Sequence, residues 1–332
     1  MTILLVAEQQ ITTNPSAKEI MLRLHLKAAV LHSNIGTVLY AKHQFAGAME
    51  SYRKSFQFRT KYNRLSVTPI SQRTDSEDQS SADFPVKMRQ YVAELENEFA
   101  RRLGNGTPDE HISDAFRIYK KKNKPSHFSI CFFANPIVMN AETHADDLSS
   151  SPAKLDKIGA ACTLFNMALV HLKMGSNSAA IKVLQMALES ISSANPEAPF
   201  KKELSCMIHT NIGHICFVGN RFTDAMDNFS RAYEACSEIA HHEEYSLEVQ
   251  HCHRKNCGYV LLNMALTSTK SRRIDEAENL CEDAYDMFYQ VESESGQPEE
   301  GLTSVTSLMN IVQRKETRSK PKVTPDPVAT SE

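Results

Sequence analysis

The sequence predicts an all-α fold of stacked helical hairpins. Small residues recur at fixed offsets in four segments, apolar residues around them follow three- and four-residue steps, and glycine is scarce at 11 residues in 332, which disfavours turn-rich β architectures. Gly36, Ala48 and Ser55 stand twelve and then seven residues apart, as do Ala168, Ala180 and Ala187, then Gly213, Ala225 and Ala232, then Ala265, Ala277 and Ala284. A side chain that small at each point lets two antiparallel helices approach closely, because interaxial distance is set by the residues at the contact.

The first hairpin is expected over residues 17–60. Leu22, Leu26, Ala29, Val30, Ile35 and Leu39 give the first helix its apolar period, the break falls near Ala41-Lys42-His43-Gln44, and Phe45, Ala48, Tyr52 and Phe56 mark the second helix. Residues 61–84 read as a disordered polar linker, since Ser66, Thr68, Asp75, Ser76, Glu77 and Asp78 leave little to bury.

Residues 85–154 read as irregular helices, an extended segment and a loop. Met88, Val92, Leu95 and Phe99 predict a helix over 86–103, ended by Gly104-Asn105-Gly106. A short helix is expected over 108–122. An extended segment packed on the helices is expected over 126–140, where aromatic and β-branched residues (Phe128, Ile130, Phe132, Phe133, Ile137, Val138) surround Pro136. Three more hairpins are expected over 155–292, with breaks at 174–178, 193–199, 219–222 and 270–273. A short helix over 293–314 and a disordered tail over 315–332 complete the chain.

Bulk composition narrows the function classes. Apolar residues make up 41% and charged residues 23%, the range of an ordinary globular protein, and the formal charge is −3, so no global basic field draws nucleic acid or anionic membrane. No run approaches the ~18 apolar residues a membrane-spanning helix needs. The start, Met1 to Ala7, is too short an apolar stretch for a signal peptide and lacks a basic lead. Eight cysteines without a framework spacing suggest free thiols and an intracellular compartment, the cytoplasm first and the nucleus second.

Four residues past each second small position stands Tyr52, Leu184, Phe229 or Cys281, and three before it stands Phe45, Asn177, Phe222 or Ile274. In this the chain resembles the tetratricopeptide repeat family, most closely at Gly213–Ala232. It departs from the family in lacking the early tryptophan, replaced by His32, Leu164, His209 and Leu261, and in spacing its later hairpins by 45 and 52 residues, beyond the usual ~34. The resemblance implies a helix–turn–helix superhelix with a concave groove, that is, an interaction scaffold without catalysis or cofactor. A stretch over 86–122 is a candidate degenerate repeat but lacks the small residues.

Two residues before each first small position stands an asparagine: Asn34, Asn166, Asn211 and Asn263. At 3.6 residues per turn, such a residue points about 200° away from the packing contact, and the resemblance makes that face the groove; a similar asparagine ladder occurs in the kinesin-light-chain-like branch. An amide offers donors and an acceptor. It can clamp the backbone of an extended peptide, or bond to a neighbouring helix and hold the hairpin angle; both readings stay open. Phe165, His214, Phe217, Tyr259 and Leu262 are expected to line the same face. None of the groove positions is Lys or Arg, which argues against a carboxylate clamp and for a short apolar peptide or helix.

Other constellations carry less. His241-His242-Glu243-Glu244, with His251, Cys252, His253 and Cys257, gathers metal-capable side chains, but no second paired motif supplies convergent ligands, and a solvated helix end is the reading preferred. No phosphate loop, paired-histidine zinc motif or nucleophile elbow is present. Lys120-Lys121-Lys122-Asn123-Lys124 reads as a helix end or, second, a nuclear signal. The expected partner is therefore another protein or a peptide segment, with self-association through end repeats as the alternative and a metal or enzymatic role third.

Overall fold

The computed structural model describes residues 17–67, 84–103, 118–120, 131–139, 152–194, 200–242 and 245–319. Among them are ten helices and one two-stranded pairing: α1 (Ala17–Ala41), α2 (Phe45–Val67), α3 (Phe84–Leu103), β1 (Ile118–Lys120), β2 (Cys131–Phe133), α4 (Pro152–Lys173), α5 (Asn177–Ser192), α6 (Lys201–Val218), α7 (Phe222–Ala240), α8 (Leu247–Lys270), α9 (Ile274–Ser295) and α10 (Glu300–Ser319). Among the described residues the fold is all-α apart from that pairing. No described helix is long and apolar enough to cross a membrane. The seven cysteines other than Cys131 are free thiols.

The same turn builds all four hairpins. Each joins its helices through three residues whose middle member takes the left-handed conformation: His43 (φ 59°), Gly175 (φ 74°), Asn220 (φ 58°) and Arg272 (φ 63°). The following amide returns to a carbonyl five residues back, as Gln44 to Leu39 (2.8 Å), Ser176 to His171 (2.8 Å), Arg221 to Cys216 (2.8 Å) and Arg273 to Ser268 (2.9 Å). This closes orphan carbonyls at the helix end in the Schellman pattern. Gly175 adopts that conformation without steric cost and asparagine, as at Asn220, tolerates it, whereas His43 and Arg272 take it at a cost.

The chain divides into two units, residues 1–117 with 134–208, and residues 118–133 with 209–332. In the first, α1 packs against α2 and α3, α2 against α4, and α4 against α5. The α1/α2 pair is antiparallel: Leu39 lies near Gly47, Gly36 against Tyr52, and the Ser55 hydroxyl donates to the Ala29 carbonyl at 2.7 Å. In the second, α7 packs on α8, α8 on α9 and α9 on α10. Phe288 of α9 sits in a slot left by two glycines; a Cβ on Gly258 would fall 2.6 Å from its ring, and Gly301 of α10 meets the ring as closely. Leu261, Ala265, Ala277, Cys281, Ala284, Val305, Leu308 and Val312 complete that core.

All twelve small positions of the repeated spacing are buried, and the sizes across each hairpin compensate. Where the residue sixteen further on is aromatic, the opposing residue is glycine: a Cβ on Gly36 would lie 2.6 Å from Tyr52 Cε1, and one on Gly213 2.6 Å from Phe229 Cε1. Where it is smaller, Leu184 or Cys281, an alanine stands at the first position, Ala168 or Ala265, and each of the four is completely buried.

Several expected boundaries move. Residues 61–67, expected as linker, continue α2, because Ser55, Arg59 and Tyr62 carry one buried face past the expected end at residue 60. Residues 118–120, expected as the end of a helix over 108–122, form β1 and pair antiparallel with β2 in the register Ile118–Phe133, Tyr119–Phe132 and Lys120–Cys131. The short helix expected over 293–314 becomes α10, which runs on through residues 315–319 of the expected tail; Val305, Leu308 and Val312 give it a buried face on α9. Of the candidate degenerate repeat over 86–122, α3 packs on α1, while residues 104–117 lie outside the described residues. The linker over 68–83, most of the loop over 141–154 and the tail from 320 lie outside the described residues, as do residues 108–117 and Lys121–Lys124.

Two measurements test this packing. Gly213→Ala is expected to cost about 1–3 kcal/mol by overpacking, and Gly213→Ala with Phe229→Leu, which copies the Ala168/Leu184 pair, to be more stable than the sum of the single changes allows in denaturant titrations. Strict additivity contradicts the compensation. The second measurement concerns pH. Burial pulls His32 and His253 down from 6.5 to about 4 and pulls His25 and His209 down as well. Between the folded and unfolded values the unfolded chain binds more protons, so this contribution to stability is full above pH 6.5 and is lost as pH falls toward 4. The thermal midpoint is expected to fall through that window; a midpoint independent of pH there contradicts it.

Candidate functional site

Residues 131–139 are not helical, and a backbone lying on helices must find partners for its N–H and C=O groups away from water. In the first unit asparagine side chains supply them. Asn166 of α4 accepts from the Ile137 amide (2.7 Å) and donates to the Ile137 carbonyl (2.8 Å). Asn34 of α1 accepts from the Met139 amide (3.0 Å) and donates to the Met139 carbonyl (2.9 Å). Each side-chain amide therefore plays the part of a peptide group in a neighbouring strand, exchanging both bonds with a single residue. The two clamped residues are two apart, the spacing at which an extended chain turns the same edge to one side.

Further contacts fix the segment. The Tyr40 hydroxyl donates to the Ala134 carbonyl at 2.9 Å. Ile137 and Met139 are buried, at 5% and 4% exposure. Asn34 and Asn166 are themselves 7% and 0% exposed, so these bonds form away from water. At the Met139 end stands Arg59 of α2, 2% exposed, whose Nη1 donates to Asp156 Oδ1 at 2.9 Å and whose Nη2 donates to Met139 Sδ at 2.8 Å. Gly159 of α4 leaves the room: any Cβ there would overlap the guanidinium. Burial pushes the Asp156 carboxyl above its ordinary range, while Arg59 pulls it the other way.

The second unit repeats the contact once. Asn211 of α6 accepts from the Phe133 amide and donates to the Phe133 carbonyl, both at 2.9 Å. Phe133 is 1% exposed, and the neighbouring Phe132 ring stacks on His214 with centroids 4.3 Å apart and planes 20° apart. The remaining residues expected on this face have contacts of their own. Phe217 meets Phe222 of its own hairpin edge-on, Tyr259 meets Phe288 edge-on, and Leu262 belongs to the core around Phe288. Phe165 and Asn263 are completely buried.

Arg59, Asp156 and Met139 carry no sequence signal that marks them, being single residues on separate elements. Arg59 also changes the electrostatic expectation: the first helices contribute no basic side chain to the clamps, but the second helix sends a guanidinium to the segment, already paired with a carboxylate.

The His/Cys stretch is dispersed. His251 and Arg254 both bond Glu294, at 2.7 Å and 2.6 Å, and the His251 bond is the chief reason the Glu294 carboxyl lies below its ordinary range. His253 lies against Cys236 instead, and Cys257 is buried. Among the described residues no three metal-capable side chains converge.

Compared with protein-family models, curated proteins and solved structures, the chain matches none of them.

Replacing Asn166 with Leu removes both partners of Ile137 while keeping the volume. Two buried backbone groups left unpaired cost about 1–3 kcal/mol each. Urea denaturation is expected to show a loss of about 2–4 kcal/mol with helical circular dichroism retained at low denaturant. A loss under about 0.5 kcal/mol contradicts a buried, two-point clamp.

Proposed function

We propose that the protein is a non-enzymatic interaction module, a tetratricopeptide-like superhelix whose groove receives an extended peptide segment held by asparagine clamps. One observation carries this reading: in the first unit Asn34 and Asn166 each hold one residue of an extended stretch by both its amide and its carbonyl. Such a clamp recognises backbone, which every peptide has, and leaves discrimination to the pockets beneath alternate side chains. The stretch so held belongs to the chain itself, and a partner's segment competes with it for the same amides.

The test uses the full chain carrying Ile137→Pro, which deletes the amide donated to Asn166 and so weakens the internal occupant. A labelled synthetic peptide copying residues 131–139, with serine in place of Cys131, is titrated by fluorescence anisotropy. Saturable binding is expected, weakened at least about tenfold, or about 1.4 kcal/mol, when Asn34→Leu and Asn166→Leu are added. Absence of saturable binding in a protein of unchanged helicity rejects the reading.

A further inference from the structure

We infer that Arg59 makes one end of the first unit's clamp site a side-chain-reading pocket, which selects a segment carrying a neutral oxygen acceptor on an unbranched side chain two residues after an aliphatic one. The inference rests on the peptide-binding reading above and names the class of segment that site takes.

The Arg59–Asp156 pair and the slot at Gly159 wall the pocket that Met139 occupies. Arg59 is 2% exposed, Asp156 is completely covered at its side chain, and their ion pair at 2.9 Å fixes one edge of the guanidinium. The missing side chain of Gly159 gives that group its slot. Its other terminal nitrogen, Nη2, faces the occupant and meets the Met139 sulfur at 2.8 Å. Its Nε is buried without a hydrogen-bond partner. A desolvated, charged donor is thus spent on a thioether, which is a weak acceptor. Bonds from a charged donor to oxygen are roughly twice as strong as neutral ones, so an oxygen at the place of the sulfur uses the guanidinium better than methionine does.

Asp156 decides the charge of that acceptor. It already neutralises Arg59, so a second carboxylate would leave a buried net charge, which is costly. A neutral oxygen on a side chain of methionine length, such as methionine sulfoxide or glutamine, avoids this cost. A purely aliphatic side chain of the same length leaves Nη2 without an acceptor. The clamps at Ile137 and Met139 set the register, because they hold the two residues by backbone whatever their side chains are.

The experiment varies the ligand and leaves the pocket intact. Peptides copying residues 131–139, identical except for norleucine, methionine or methionine sulfoxide at the last position, are titrated into the full-length Ile137→Pro chain. Norleucine is expected to bind about threefold to tenfold more weakly than methionine, and the sulfoxide at least about threefold more tightly. Equal affinities overturn the pocket while leaving peptide binding in place; no binding by any of the three overturns both. A second arm holds if that variant does not fold: Met139→Leu and Met139→Gln are compared in the otherwise unchanged chain by thermal denaturation. The glutamine chain is expected to keep the higher midpoint, and the reverse order overturns the inference.

Discussion

An extended backbone cannot lie on helices unless something pairs its amides and carbonyls. Helices have spent their own backbone groups internally, so the partners must come from side chains. Asparagine presents a donor and an acceptor in the planar arrangement of a peptide group. Asn34 and Asn166 in the first unit, and Asn211 in the second, each do so toward a single residue. Once those bonds are formed, Phe133, Ile137 and Met139 can be buried without orphaned backbone. Without them the stretch would carry unpaired polar groups into an apolar surface, at a cost of the same order as the stability of a whole domain.

The helical frame is what brings the amides to their places. The asparagines stand on the first helix of their hairpins, two residues from the small position that faces the partner helix. Close approach there depends on matched sizes, glycine against Tyr52 or Phe229 and alanine at the hairpins that carry Leu184 or Cys281. The Schellman turns repeat the same connection at His43, Gly175, Asn220 and Arg272, and so repeat the same register of small residues across each pair. Arg59 adds a different constraint in the first unit. Its charge is buried only because Asp156 lies beside it, and it reaches the segment only because Gly159 has no side chain.

The helices and their breaks were legible because period and small-residue offsets are local signals that repeat. The asparagines stood out for the same reason: one residue recurring in one register is visible without coordinates. The extended segment expected over 126–140 rests on aromatic and β-branched residues around Pro136; of it, residues 131–139 are described, and 131–133 form β2. That this segment meets the asparagines was not legible, because nothing in sequence links Asn34 to Met139 across 105 residues. Arg59 is a lone arginine in the sequence, because its carboxylate partner Asp156 lies on another helix. The end of α2 and the length of α10 are obscured in sequence because polar residues outnumber a narrow buried stripe, Tyr62 in one case and Val305, Leu308 and Val312 in the other. Residues 118–120 read as helix because their lysine resembled a helix end, whereas strand pairing with residues 131–133 decides their conformation.

Native-state hydrogen exchange resolved at the Ile137 and Met139 amides bears most directly on the clamp. Both amides donate to buried asparagine oxygens, at 2.7 Å and 3.0 Å. They must therefore exchange as slowly as the interior amides of α4, since each opens only when the packing around Asn166 or Asn34 opens. Exchange at the rate of an unstructured peptide, in a chain whose helices stay protected, would mean that the amides of Asn34 and Asn166 do not hold this segment.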